Sequence, residues 1–119
     1  MIKTICDECL PFIVGIEELI ESYGYGNFHD SLVSLLEYHL ASDCHSADIL
    51  LSLSIYGEVE ITLKFVGVHG IEMNVPDTRS SFFDSVDFYV AQWCDYGKCI
   101  IMETDGDNLK IVADQIIVN

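Results

Sequence analysis

The stretch that decides the fold is DILLSLSIYGEVEITLKF, residues 48–65. Apolar side chains occupy every second position on both sides of a turn at Gly57 and Glu58. They are Ile49, Leu51, Leu53 and Ile55 before the turn, and Val59, Ile61, Leu63 and Phe65 after it. A period of two is typical of strands with one buried face. The stretch therefore predicts an antiparallel hairpin with one dry face.

Alternation continues towards the C-terminus and predicts four more strands. They are residues 71–75 after a break flanked by Gly67 and Gly70, residues 86–91, residues 99–104 and residues 108–118. Asp105-Gly106-Asp107 joins the last two strands and is a hairpin turn signal. We therefore expect most of this half of the chain to form one antiparallel sheet.

The N-terminal part has a helical pattern instead. Over residues 5–23, apolar residues recur on one helical face, while Glu17, Glu18 and Glu21 lie mainly off it. Pro11 favours a helix start near residue 11, and Gly24 is placed to end the helix. Residues 31–40 fit either a helical stripe or a strand, and the pattern alone does not choose.

Together these elements predict one domain over residues 1–119 in the α+β class. An N-terminal helix is expected to pack on a mostly antiparallel β-sheet of about six strands.

The charge is strongly one-sided. Twenty Asp and Glu residues face five Lys and Arg residues, for a formal net charge of −15. Such a field repels nucleic acid and anionic membranes, and it attracts a basic protein whose association slows as salt rises. The alternative is that the acidity only keeps the domain soluble. Acids interrupt the opening apolar segment, which disfavours a signal peptide, so we expect a cytoplasmic protein.

The five cysteines admit two interpretations. Their odd number and the expected cytoplasmic location favour reduced thiols buried as small hydrophobes. Cys6 and Cys9 have the spacing of a zinc half-site, which Cys94 and Cys99 would have to complete. The structural interpretation is favoured, and we expect no metal and no cofactor.

Motifs for catalysis are missing from the sequence, so we expect a protein that is not an enzyme. It has no phosphate-binding glycine loop, no Gly-x-Ser-x-Gly elbow and no paired metal-ligand histidines. His29 and Asp30 are adjacent, but neighbouring residues of an extended chain point to opposite faces. Phe28, His29 and Asp30 are therefore interpreted as a structural motif at a turn.

Candidate partner contacts come from the stretch DFYVAQWCDYG. If Val86, Phe88 and Val90 face the core, Asp87, Tyr89 and Trp93 lie on the opposite face, with Asp95 and Tyr96 in the next turn. The alternative is that Tyr89 and Trp93 pack beneath the N-terminal helix. Further acidic candidates are Glu58, Glu60, Glu72, Glu103, Asp105 and Asp107.

NFHDSLV followed by ADILLSLSIYGEVEITLKFVGVHGIEMNV resembles small bacterial immunity proteins of polymorphic-toxin and contact-dependent growth-inhibition systems. In these proteins a Phe-His-Asp motif precedes a strand, and a hairpin ends in a segment like Leu63-x-Phe65-x-Gly67-Val68-x-x-Ile71. The closing ETDGDNLKIVADQIIVN is similar to their last hairpin. The resemblance covers roughly residues 16–118.

The resemblance implies a strand after Asp30 and a role in binding rather than catalysis. Many toxins of these systems are nucleases, which are basic because they hold phosphates. An acidic partner would then neutralise the cognate toxin by occluding it with acidic and aromatic surface. The alternative is a non-catalytic binding or accessory module, self-associating to a homodimer through an open edge strand.

Overall fold

The structure is a computed structural model, and its elements are almost entirely β-strands. It describes residues 5, 7–23, 31–42, 46–55, 59–74, 82–83, 86–95, 97–104 and 109–119. The strands are β1 Ile13–Val14, β2 Ser31–Leu40, β3 Ala47–Ile55, β4 Val59–Met73, β5 Phe82–Phe83, β6 Val86–Gln92, β7 Lys98–Thr104 and β8 Leu109–Val118. The helical elements are a 3₁₀ turn, Leu10–Phe12, and one helix, α1, Ile16–Tyr23.

One sheet contains all of these strands. Seven of them follow the order β5-β2-β3-β4-β8-β7-β6, and every neighbouring pair in this series is antiparallel. β1 pairs with the end of β8 in parallel, with Ile13 opposite Ile116. β8 lies near the middle of the sheet, so its register positions the residues of both neighbouring strands.

The predicted α+β class is wrong, because the helix expected over residues 5–23 is only the eight residues of α1. Pro11 lies in the 3₁₀ turn, and the chain then extends as β1. Pairing with β8 gives Ile13 and Val14 a backbone ladder, and this tertiary contact overrides the local helical pattern. The protein is thus a mostly antiparallel β-sheet with little helix.

The hairpin predicted from residues 48–65 is confirmed as β3 and β4. Ile49 lies opposite Phe65, and Leu51 lies opposite Leu63. The break predicted at Gly67 and Gly70 is wrong, because β4 runs unbroken through both glycines. The register of β4 with β8 shifts between Val68 and Gly70. This shift is a β-bulge, and the pairing of the two strands continues on both sides of it.

The segment that fitted either pattern is the strand β2, as the resemblance implied. Phe28, His29 and Asp30 lie outside the described residues. Two later predicted strands are confirmed as β6 and β7, and the last one is confirmed as β8.

Buried apolar residues form two clusters on opposite faces of the sheet. The main core joins the N-terminal segment to one sheet face and includes Cys9, Ile13, Ile16, Leu51, Leu63, Phe65, Ile100, Met102 and Ile111. Cys99, Ile101 and Val112 form a smaller group, here called the outer cluster. Successive strand residues point to opposite faces, so Ile100 in the main core and Ile101 in the outer cluster show that the two clusters lie on opposite faces of the sheet. The outer cluster therefore marks the face turned away from the N-terminal segment, here called the outer face.

Candidate partner-binding face

Three carboxylates and one lysine form a line across four neighbouring strands of the outer face. Glu72 of β4 lies directly opposite Lys110 of β8, and Lys110 lies opposite Glu103 of β7. Glu103 in turn lies opposite Asp87 of β6. Residues directly opposite each other project to the same face of a sheet. We call Glu72, Glu103 and Asp87 the acidic row.

The acidic row remains accessible to solvent. Glu72 and Asp87 are exposed, while Glu103 and Lys110 are half-buried. Lys110 offsets one of the three negative charges, so the line keeps a net negative charge. The row therefore presents carboxylate oxygens to solvent on a surface held by backbone hydrogen bonds rather than by a loop.

Tyr89 lies two residues along β6 from Asp87, on the same face, and is bound to the acidic row. Its hydroxyl donates a hydrogen bond of 2.7 Å to Glu103 Oε2. Partial burial raises the pKa of Tyr89 to about 12, with further contributions from the hydrogen bond to Glu103 and from electrostatic interactions with Glu103, with Cys99 when it is a thiolate, and with Glu72. The phenol therefore stays protonated and keeps donating to Glu103 near neutral pH.

Trp93 packs on the outer cluster and completes this face. Its ring lies beside Gly70 of β4, with Cζ2 at van der Waals distance from where a Cβ would stand. Lys110 Nζ lies 5.8 Å from the ring centroid, within the range of a cation–π contact. The alternative of packing beneath the helix is wrong for Trp93, since the N-terminal segment packs on the main core.

Asp87 and Tyr89 lie on the face that the alternation of β6 assigned to them on condition that Val86, Phe88 and Val90 face the core. Val86 is buried in the main core, with Phe88 and Val90 packed against it, whereas Asp87 and Tyr89 are exposed. Nothing in the sequence indicated that Lys110 would stand between the carboxylates of Glu72 and Glu103. The alternation around Lys110 predicts the face of the sheet on which its side chain lies, but not which residues of the neighbouring strands it meets.

Of the other acidic candidates, the two that the structure describes, Glu60 and Asp95, do not join the row. Glu60 is exposed opposite Ser54, at the far end of β4 from Glu72. Asp95 is exposed in the turn that follows Trp93. Glu58, Tyr96, Asp105 and Asp107 lie outside the described residues.

Of the four cysteines considered as a zinc site, the structure describes three, and two of these, Cys9 and Cys99, lie on opposite sides of the sheet. Cys9 is buried in the main core, where its thiol donates to the carbonyl of Phe88 at 3.4 Å. Cys99 is buried in the outer cluster, on the other side of the sheet. Cys94 is exposed, and Cys6 is outside the described residues. Within the described ranges, no three His, Cys, Asp or Glu side chains are grouped as metal ligands.

A second polar group, which sequence analysis missed, lies at the bulge of β4. His69 Nε2 lies 2.7 Å from Asp114 Oδ1, and the Gly67 amide donates to Asp48 Oδ1 at 3.2 Å. Gly67 has a φ of +67°, and the Asp114 side chain occupies the space that a Cβ there would need. These contacts fix the bulge, and glycine is required because the side chain of Asp114 crosses it.

The acidic row can accept charge-assisted hydrogen bonds from lysine or arginine, and the nearby rings of Tyr89 and Trp93 offer apolar contact. In the part of the chain that the structure describes, no helix is long and apolar enough to cross a bilayer. No protein-family model, no curated protein and no solved structure matches this chain.

Proposed function

We propose that this protein is an immunity protein that binds and neutralises a basic toxin, with a nuclease as the expected class. The acidic row carries the proposal, because the register of four strands aligns Glu72, Glu103 and Asp87 on one accessible face. The mechanism is occlusion of the toxin by tight binding, and it needs no catalysis and no cofactor.

The charge of the whole molecule supports this choice of partner. A net charge of −15 accelerates encounter with a basic surface and slows encounter with an acidic one. Nuclease domains bind phosphates with lysine and arginine, and carboxylates can occupy the same positions. The acidic row would thus substitute for the phosphates of the nucleic acid.

The aromatic residues supply the contact that should slow dissociation. Interface energy is concentrated in tryptophan, tyrosine and arginine near the centre of a contact. Tyr89 is 37% exposed and is oriented by Glu103, and half-buried Trp93 lies over the outer cluster. A rigid aromatic group beside fixed carboxylates suits an arginine, which can stack on a ring and bind a carboxylate.

The resemblance to immunity proteins supports the same role from the sequence. It rests on NFHDSLV, on the segment from Leu63 to Ile71 and on the closing ETDGDNLKIVADQIIVN. The proposal assigns the protein to the cytoplasm, where a nuclease toxin would act and where thiols stay reduced.

Co-expression with the protein encoded immediately upstream tests the proposal. We expect that protein to be toxic alone, to be tolerated when this chain is present, and to form a one-to-one complex with it. A non-toxic neighbour that forms no complex would contradict the assignment.

A matched pair of triple variants then locates the interface. Glu72→Gln with Asp87→Asn and Glu103→Gln removes the charges of the acidic row. Its control, Glu17→Gln with Glu18→Gln and Glu21→Gln, removes three exposed charges from α1, on the side of the main core. Both variants lose three charges, so long-range steering weakens about equally.

The acidic-row variant should weaken binding at least about tenfold more than the α1 variant, since it also loses direct contacts. Association should be measured by stopped flow and dissociation by competition, at low and high salt. Equal losses in the two triple variants would mean that the toxin binds elsewhere.

A further inference from the structure

β2 is an outer strand over most of its length. On one side it pairs with β3 from Ser31 to Leu40. On its other side, among the described residues, only β5 pairs with it, at Ser31 and Leu32. An unpaired strand edge is a template for another strand, since its backbone groups can still form a ladder.

The apolar side chains at this edge lie beside the main core, and two of them are exposed to solvent. Leu36, Tyr38 and Leu40 lie opposite Leu51, Ile49 and Ala47 of β3, which are all buried. Tyr38 and Leu40 are nevertheless each 54% exposed. An apolar row at a sheet edge would be buried if a second sheet continued from it.

The charge of β2 indicates which molecule could pair there. β2 contains one acidic residue, Glu37, and one histidine, His39, whose Nε2 lies 2.8 Å from Glu37 Oε2. Two molecules of net charge −15 repel each other over most of their surfaces. β2 is a surface with little charge, where this repulsion is weak, and a basic partner would gain little electrostatic attraction there.

We propose that β2 pairs antiparallel with β2 of a second copy, about a two-fold axis at Tyr38. In this register Glu37 faces His39 of the other copy, and Leu36 faces Leu40 of the other copy. The two Tyr38 rings meet at the axis. Every apolar residue thus faces an apolar one, and both carboxylates face an imidazole.

Neighbouring registers are less favourable for stated reasons. An axis at Glu37 would place two carboxylates directly opposite each other, which is destabilising. An axis at His39 would place two imidazoles directly opposite each other and would pair Glu37 with Ala41. The Tyr38 register also confines the new ladder to residues 36–40, so it leaves Ser31 and Leu32 to β5.

Sedimentation of the full chain tests the dimer, with two variants of equal charge. Tyr38→Glu would place two carboxylates at the axis. Met73→Glu is the control, because Met73 is 58% exposed at the end of β4, away from β2, and the substitution gives the same net charge.

We expect the unaltered chain to sediment at twice 13.4 kDa, Met73→Glu to do the same, and Tyr38→Glu to sediment as a monomer. A monomeric unaltered chain at all concentrations would overturn the proposal. So would a dimer that survives Tyr38→Glu, or one that is lost equally in Met73→Glu.

Disulfide trapping tests the register without adding charge. Under a mild oxidant, Tyr38→Cys should cross-link to a covalent dimer, above the level of the unaltered chain with its native cysteines. Leu36→Cys mixed with Leu40→Cys should cross-link between the two variants, while Met73→Cys should not. Cross-linking of Met73→Cys as fast as Tyr38→Cys, or none of Tyr38→Cys, would refute the register.

Discussion

Tyr89 of β6 donates a hydrogen bond of 2.7 Å to Glu103 of the neighbouring strand β7, on the outer face. This bond couples an exposed ring to a carboxylate of the acidic row. It holds the ring in one orientation, so the Tyr89 side chain would lose less conformational entropy if a partner bound to it.

Alkaline titration should detect this hydrogen bond. The pKa of Tyr89 is raised to about 12, so the folded state holds a proton that the unfolded state loses near pH 10. Stability from this group is therefore present below pH 10 and is lost as the pH rises towards 12. The difference in phenolate absorbance between the unaltered chain and Tyr89→Phe should show a transition well above pH 10. In the Glu103→Gln background, the Tyr89 transition should occur at lower pH. A Tyr89 transition near pH 10 both with and without Glu103 would contradict the hydrogen bond between the two side chains.

Lys110 should stabilise the outer face through Trp93. Lys110→Met removes the cation over the ring and the positive charge between Glu72 and Glu103, which should cost about 0.5–1 kcal/mol. Urea unfolding followed by tryptophan fluorescence measures the loss. Lys64→Met is the control, since Lys64 is an exposed lysine of β4 that is not placed over Trp93. Equal losses for the two variants would show that only net charge matters.

Gly67, beside the bulge of β4, should tolerate no side chain. Gly67→Ala strains a backbone with φ +67° and drives Cβ into the Asp114 side chain, so we expect a loss of about 2–4 kcal/mol. Gly97→Ala is the matched control, because Gly97 has φ +85° but, apart from its chain neighbours, no atom of the described residues lies within 4 Å of the added Cβ. It should lose about 1 kcal/mol from backbone strain alone. Similar unfolding free energies for both variants would show that Asp114 moves aside without cost.

Thiol labelling should separate two of the cysteines. Burial raises the pKa of the Cys99 thiol, and the charge of Asp114 raises it further. Cys99 is therefore less often a thiolate near pH 8, and it is also buried, whereas Cys94 is exposed. Mass spectrometry after brief alkylation should find Cys94 modified well before Cys99. Simultaneous modification would mean that the outer cluster opens on the timescale of labelling.

Local alternation in the sequence was sufficient for most of the sheet. The hairpin of β3 and β4 and the two faces of β6 follow from a period of two, because successive side chains point to opposite sides of a strand. The same alternation gives Asp87 and Tyr89 the face opposite Phe88, and they are exposed because Phe88 packs against the main core. The helical pattern of residues 5–23 misled, because the pairing of Ile13 with β8 is a contact between distant parts of the chain.

Tertiary structure alone decided which charges meet. The alternation around Glu72, Glu103 and Lys110 fixes the face of each residue within its own strand, but not its neighbour in the next. Their alignment depends on the register of β8 with β4 and β7, which is set by backbone ladders and by burial of the main core. The sequence by itself therefore determined the acidity of the protein and the alternation of the β3–β4 hairpin, β6, β7 and β8. Folding added the acidic row and the Lys110–Trp93 contact, and among the described residues it left most of one side of β2 unpaired, because each depends on contacts between residues far apart in sequence.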